Sequence, residues 1–180
     1  DFLSASAHKF HGPKGVGILY STPQHFDNLL HGGEQEEKRR ASTENMIGIA
    51  GMAKALSDTV TNKDVNYKHV KELRQSFLDA ISGLDYYING SQNKMPHVLN
   101  IGFPNQNNGI LLTHLDLAGI AVSTGSACTA GTVDPSHVLA SLYGEDSPRL
   151  AESIRVSFSE LNTIEEVQEL AKKLIEIVGK

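Results

Sequence analysis

From Glu44 to Val60 the apolar residues Met46, Ile47, Ile49, Ala50, Met52, Ala53 and Leu56 recur at helical spacing, which predicts a first long helix. A second is predicted from about Asp64 to Leu84, with Val70, Leu73, Phe77, Leu78 and Ile81 as its buried stripe. Ahead of both, Phe2-Leu3-Ser4-Ala5-Ser6-Ala7 reads as a short buried strand and Val16-Gly17-Ile18-Leu19-Tyr20 as its return. Gly12-Pro13-Lys14-Gly15 joins them as a turn, because proline presets φ and the glycines accept positive φ. Lys9 is thereby expected at a strand end, where side chains face a site.

After Gly83-Leu84-Asp85 the pattern shortens. Tyr86-Tyr87-Ile88-Asn89 and His97 to Phe103 read as strands, followed by a helix near Ile110 to Leu117. This change places a domain boundary at 84/85. Ile120-Ala121-Val122 reads as a strand leading into a loop of small residues, Ser123-Thr124-Gly125-Ser126-Ala127-Cys128-Thr129-Ala130-Gly131. Asp134-Pro135 looks like a cap followed by proline at the first helical position, opening a helix from about Ser136 to Tyr143. Ser153-Ile154-Arg155-Val156-Ser157-Phe158 alternates as a half-buried strand should. Thr163-Ile164-Glu165-Glu166 is a capping box, and the helix it opens has Val167, Leu170, Leu174, Ile175 and Val178 on one face. No internal repeat or low-complexity tract interrupts the pattern.

Composition narrows the class. The chain has 180 residues, 39% of them apolar, enough for one good core or two small ones sharing a face. It has no apolar run of about 18 residues to span a bilayer, and its first residues lack a signal peptide's basic start and long apolar stretch. With no Met ahead of its opening strand, the chain is expected to be a truncated piece of something longer. One cysteine makes no internal disulfide, so a cytoplasmic location is the default expectation. A net charge of −5, with bases interleaved among acids as in Glu36-Glu37-Lys38-Arg39-Arg40, argues against a nucleic-acid surface.

Four positions carry candidate chemistry. Lysine is usually a solvated charge, but Lys9 stands beside Ser6 and His8. Together they offer amine, imidazole and hydroxyl to a small molecule with an aldehyde and a phosphate, the amine forming a Schiff base. The bland alternative packs His8 and His11 against the sheet as turn histidines. A lone cysteine is most often a small buried hydrophobe. Cys128, however, lies in a stretch from Ser123 to Thr132 with no large apolar side chain to anchor it, and a mobile thiol nucleophile fits equally. Lys9 and Cys128 together suggest sulfur chemistry on pyridoxal phosphate. Arg155 has apolar neighbours and either forms a structural salt bridge or presents its fork to a carboxylate. Thr43 either caps the helix that follows or joins a phosphate at that helix's start. The histidines show no close ligand spacing, so no metal site is expected. Gly12-Pro13-Lys14-Gly15 lacks the spacing of a nucleotide-binding phosphate loop.

These residues resemble the C-terminal half of a group I cysteine desulfurase of the NifS/IscS type, within the class V aminotransferase superfamily. Four blocks carry the resemblance in order: Ser6 to Gly15, Gly32 to Thr43, Ser123 to Thr129 and Ser153 to Ser157. It spans essentially the whole chain. It implies an α/β fold, the pyridoxal-phosphate-dependent transferase fold type I, with the tail of the large cofactor domain in 1–84 and a small C-terminal α/β domain in 85–180. Lys9 matches the lysine that bonds the cofactor's aldehyde, and Ser6 and His8 match residues holding its phosphate. Thr43 matches a threonine reaching the phosphate of the other subunit, which implies a homodimer. Cys128 matches the persulfide-forming cysteine, and Arg155 the arginine that binds the substrate carboxylate. The implied reaction takes sulfur from L-cysteine, leaves L-alanine, and passes a persulfide to an acceptor or scaffold protein, whether for iron–sulfur clusters, modified tRNA or a vitamin.

Two positions depart from the family pattern. Ser42 stands where glycine commonly precedes the threonine, which bears on backbone freedom near Thr43. Ser159-Glu160 replaces a frequent Gly-Arg and leaves Arg155 in place. Rival readings are a selenocysteine lyase, which depends less on Cys128, and a non-catalytic dimerisation or docking fragment lacking the upstream cofactor ligands.

Overall fold

A computed structural model describes residues 1–22, 26–91, 95–125 and 135–179. The chain divides into two compact units, Asp1–Asp64 and Val65–Lys180.

In the first unit, β1 (Phe2–Ser6) and β2 (Gly17–Ser21) form an antiparallel ribbon in the register Phe2↔Ser21 to Ser6↔Gly17. Both strands are where the sequence puts them, but β1 is not buried. Phe2 and Leu3 are more than half exposed, because no third strand pairs with the ribbon among the described residues. The turn between them returns at Gly15, whose φ is +80°.

The two helices expected on either side of residue 62 are one, α1 (Met46–Ala80). Nothing at 61–63 breaks a helix: Thr61, Asn62 and Lys63 include neither glycine nor proline. The Asn62 side chain bonds the Asp58 carbonyl at 2.9 Å, and Lys54 pairs with Asp58 one turn earlier. Near its start the helix passes the Pro13 turn so closely that a Cβ at Gly51 would lie 2.8 Å from Pro13 Cγ, which only glycine allows.

In the second unit, β3 (Tyr87–Ile88), β4 (Val98–Gly102) and β5 (Ser153–Ser157) form an antiparallel sheet in that order. Period-two alternation sorts its faces. Leu99 and Ile101 of β4, paired with Val156 and Ile154 of β5, are buried with Val70, Leu73, Phe77 and Ile81 of α1. Leu111 and Leu115 of α2 (Asn108–Leu117) and Val167, Leu170, Ala171 and Leu174 of α5 (Ile164–Val178) complete that core. The opposite face carries Asn100 and Arg155, which are cross-strand partners, and Ser153. The helix stripe predicted from Val70 to Ile81 is therefore the one that packs.

Other expectations need correction. Ile120 to Val122 is not a strand; only Ser123 bridges Arg155, so the segment meets the edge of β5 at a single residue. The cap of α3 (His137–Tyr143) is Ser136, whose Oγ accepts from the Leu139 N–H at 3.3 Å; Asp134, expected in that role, lies outside the described residues. On α5 the capping box of Thr163 and Glu166 is present as read, but Ile175 faces out at 42% exposure and Ala171 takes the inward place. A four-residue helix α4 (Arg149–Glu152) precedes β5. No described helix is long and apolar enough to cross a membrane.

Candidate active site

The end of β1 presents three of the candidate residues. Ala7 is fully buried, and its N–H donates to the Val16 carbonyl at 3.0 Å, closing the ribbon. Its carbonyl accepts from both the Phe10 N–H (3.0 Å) and the Gly12 N–H (2.8 Å), winding Ala7–Lys9 into a single tight turn. Buried Ala7 thus acts as a pivot, and Ser6, His8 and Lys9 on either side of it are exposed. No side-chain hydrogen bond engages Ser6 as a cap. Amine, imidazole and hydroxyl thus lie exposed within four residues of one another along the chain. The packed-histidine alternative fails for His8, which is exposed.

Thr43 is also exposed, and it does not cap α1. That role belongs to Asn45, whose Oδ1 accepts from the Gly48 N–H at 3.0 Å. Ahead of Thr43 the backbone is forced: Ser42 has φ +92°, in the left-handed region that favours glycine. The departure noted at Ser42 therefore falls where glycine would relieve strain. Glu36, Glu37 and Lys38 also adopt positive φ, making a left-handed turn in the block that leads to Thr43.

In the second unit Arg155 sits at mid-strand in β5, partly buried. No salt bridge joins it to a described acid. Its Nη1 donates to the carbonyl of Gly125 at 3.3 Å, and its backbone exchanges two hydrogen bonds with Ser123, at 2.6 and 3.1 Å. Arg155 thus holds the stem of the loop that continues to Cys128; Cys128 itself lies outside the described residues. Thr124 and Gly125 are the last described positions of that stem.

The same sheet face holds a polar network that the sequence reading missed. Asn89, 5% exposed, donates to Asn100 Oδ1 (2.7 Å) and Ser153 Oγ (2.8 Å), while its Oδ1 accepts from Arg149 Nη1 (2.8 Å). The Arg149 guanidinium lies over the rings of Tyr87 and Tyr143, 4.2 and 4.4 Å from their centroids. Tyr87 OH donates to Glu152 Oε2 at 2.8 Å, and burial followed by that carboxylate raises its pKa to about 12. Asn100 between Leu99 and Ile101 in β4, and Asn89 directly after Ile88 of β3, were the available signal; α4, at four residues, gives no period to read. A depression of about 260 Å³ between α2 and the 120–122 segment, lined by Leu112, Thr113, Asp116 and Ile120 to Val122, contains none of the candidate residues.

Known proteins are similar to this chain along its length. The sequence model of the family described as Aminotransferase class-V matches residues 1–170. A putative cysteine desulfurase IscS 1 of Bacillus subtilis (strain 168) is 46% identical over 184 residues, covering 100% of this chain and 48% of that protein. A cysteine desulfurase IscS of Dictyoglomus turgidum is 45% identical over 148 residues, covering 79% and 37%. Among solved structures, a NifS-like protein superposes with a TM-score of 0.85 at 36% identity, over 99% of this chain and 46% of its own. The chain spans about half the length of the curated relatives it matches. The expected α/β class and transferase fold are borne out, and the chain belongs to the class V aminotransferase family, with the fold of the NifS-like proteins.

Proposed function

We propose that this chain is the C-terminal half of a pyridoxal-phosphate-dependent cysteine desulfurase acting on L-cysteine. The observation that carries the reading is the 46% identity, along the whole chain, to a relative named a putative cysteine desulfurase. The donor set at the β1 end fits the cofactor: Ser6 and His8 offer phosphate ligands, and Lys9 an amine that no described residue engages through a salt bridge. Residues 1–84 are the end of the large cofactor domain with its linking helix, whose Val70 to Ile81 stripe packs in the second unit, and 85–180 are the small domain. Thr43 reaches a phosphate across a homodimer, and the protein works in the cytoplasm.

Bound pyridoxal phosphate supplies an electron sink for the carbon next to the substrate's amino group. The residues of the chain do the rest. The Arg155 fork binds the substrate carboxylate and fixes its orientation. Lys9 would hold the cofactor through its aldehyde, and its free amine would move the proton at the substrate's α-carbon. The Cys128 thiolate attacks the substrate sulfur; an S–S bond forms as the substrate C–S bond breaks, and the electron pair stays with the carbon skeleton. Protonation of that skeleton gives L-alanine. The persulfide on Cys128 then passes to an acceptor protein.

The test is Cys128→Ala in the full-length protein. Visible absorbance and borohydride fixation on Lys9 are expected to be retained, while sulfide release from L-cysteine falls at least a hundredfold, in line with loss of a covalent nucleophile. Undiminished release would overturn the reading in favour of a lyase that does not need the thiol.

A further inference from the structure

Arginine offers two edges to a carboxylate, the Nη1–Nη2 end and the Nε–Nη2 side, and a neighbour that accepts from Nη1 competes for the first and leaves the second complete. In Arg155 that neighbour is the backbone carbonyl of Gly125, at 3.3 Å. No described residue bonds Arg155 Nε or Nη2. The stem is also tied to the backbone of the same residue, through the reciprocal Ser123 and Arg155 hydrogen bonds. The guanidinium and the stem are therefore held by a shared set of contacts centred on one residue.

We infer that Gly125 is a positioning residue for carboxylate recognition: its carbonyl holds Nη1 and turns the Nε–Nη2 side of the Arg155 fork toward the substrate carboxylate. This deepens the reading of Arg155 given above and rests on it. Gly125 suits the task because its φ is +63°, in the left-handed region, where any other L-residue is strained. A side chain at 125 drives the backbone out of that region and swings the carbonyl off Nη1. By linkage, the coupling runs both ways: a carboxylate on the fork also tightens the attachment of the stem that leads to Cys128.

The experiment is a double-mutant cycle on L-alanine binding to the full-length holoenzyme, followed by the cofactor's absorbance, with Gly125→Ala, Arg155→Lys and the pair. Gly125→Ala is expected to weaken binding about tenfold, the size of effect that losing an oriented left-handed backbone position allows. In the Arg155→Lys background the same change is expected to do nothing, because the fork it serves is gone. For L-cysteine turnover, Gly125→Ala is expected to raise KM by a similar factor in the wild-type background and to leave KM unchanged beside Arg155→Lys. An equal loss in both backgrounds would mean that Gly125 shapes the loop independently of Arg155, and would overturn the inference. So would unchanged binding in Gly125→Ala when Arg155→Lys weakens it, an outcome that leaves the carboxylate role intact. If Arg155→Lys itself binds L-alanine normally, the carboxylate reading fails and the inference falls with it.

Discussion

The two units contrast in what they bury. From Val65 onward, α1, the three-stranded sheet, α2 and α5 enclose a core in which Leu73, Phe77, Ile81, Leu99, Ile101, Leu115, Ile154 and Leu174 are fully buried. Up to Asp64 the described residues bury Ala7, Ala41 and Met52, while Leu19, Tyr20 and Ile47 are 56%, 60% and 89% exposed. Ser6, His8 and Lys9, proposed for the cofactor, thus sit at the end of a thin ribbon held by backbone pairing, and the proposed carboxylate ligand on a sheet with its own core. A side chain's cost of removal follows its burial, so the units differ in where they are vulnerable.

The widest difference is expected between Phe77 and Leu19. Phe77 is fully buried with its ring 6.1 Å from that of Phe158, and Phe77→Ala is expected to cost about 3–5 kcal/mol through lost transfer energy and the cavity left behind. Leu19→Ala, more than half exposed, is expected to cost less than about 1 kcal/mol. Urea denaturation curves of the two variants, compared at unchanged slope, measure both. Equal losses would mean that the ribbon is as tightly packed in solution as the core.

The polar face of the sheet gives the next effect. Asn89→Ala removes two donated bonds and the acceptor that Arg149 uses, leaving buried Ser153 without that donor. A cost of about 1–3 kcal/mol is expected, again from urea midpoints. Tyr87 adds a pH signature. Its folded pKa is raised to about 12 from an ordinary 10, so its contribution is fully present below pH 10 and is lost as pH rises from 10 toward 12, where only the unfolded tyrosine ionises. Tyr87→Phe is expected to flatten the fall in stability over that window while remaining near wild type at pH 8 apart from its lost hydrogen bond. An alkaline decline that persists unchanged would assign it to other groups.

What was legible in the sequence follows from where local signals agree with packing. The stripe from Val70 to Ile81, the alternation at Ile154 and Val156 and the capping box at Thr163 each announce their partners by spacing, and each is found. The helix break expected near residue 62 has no glycine or proline behind it, only a change in which unit the helix serves, and a change of neighbour leaves no periodic trace. Burial of β1 was read from its composition, but composition cannot say whether another element covers a strand. Ser6, His8 and Lys9 were visible as a cluster because they are close in sequence. The Gly125 carbonyl on Arg155 was not, since a backbone acceptor thirty residues away carries no side-chain signature.

The smallest effect lies in the weaker unit and is expected to strengthen it. Ser42 holds φ +92°, a conformation costing an L-residue about 1–2 kcal/mol, and it does so without a side-chain hydrogen bond seen among the described residues. Glycine removes that strain but adds about 0.5–1 kcal/mol of backbone entropy to the unfolded chain. The balance for Ser42→Gly is a gain of up to about 1 kcal/mol, read as a rise in the urea midpoint. Because Ser42 precedes Thr43, the same variant also tests whether strain here has a use. If cofactor affinity falls while stability rises, Ser42 sets the direction of Thr43; if both rise, the serine is a plain departure from the glycine this backbone prefers.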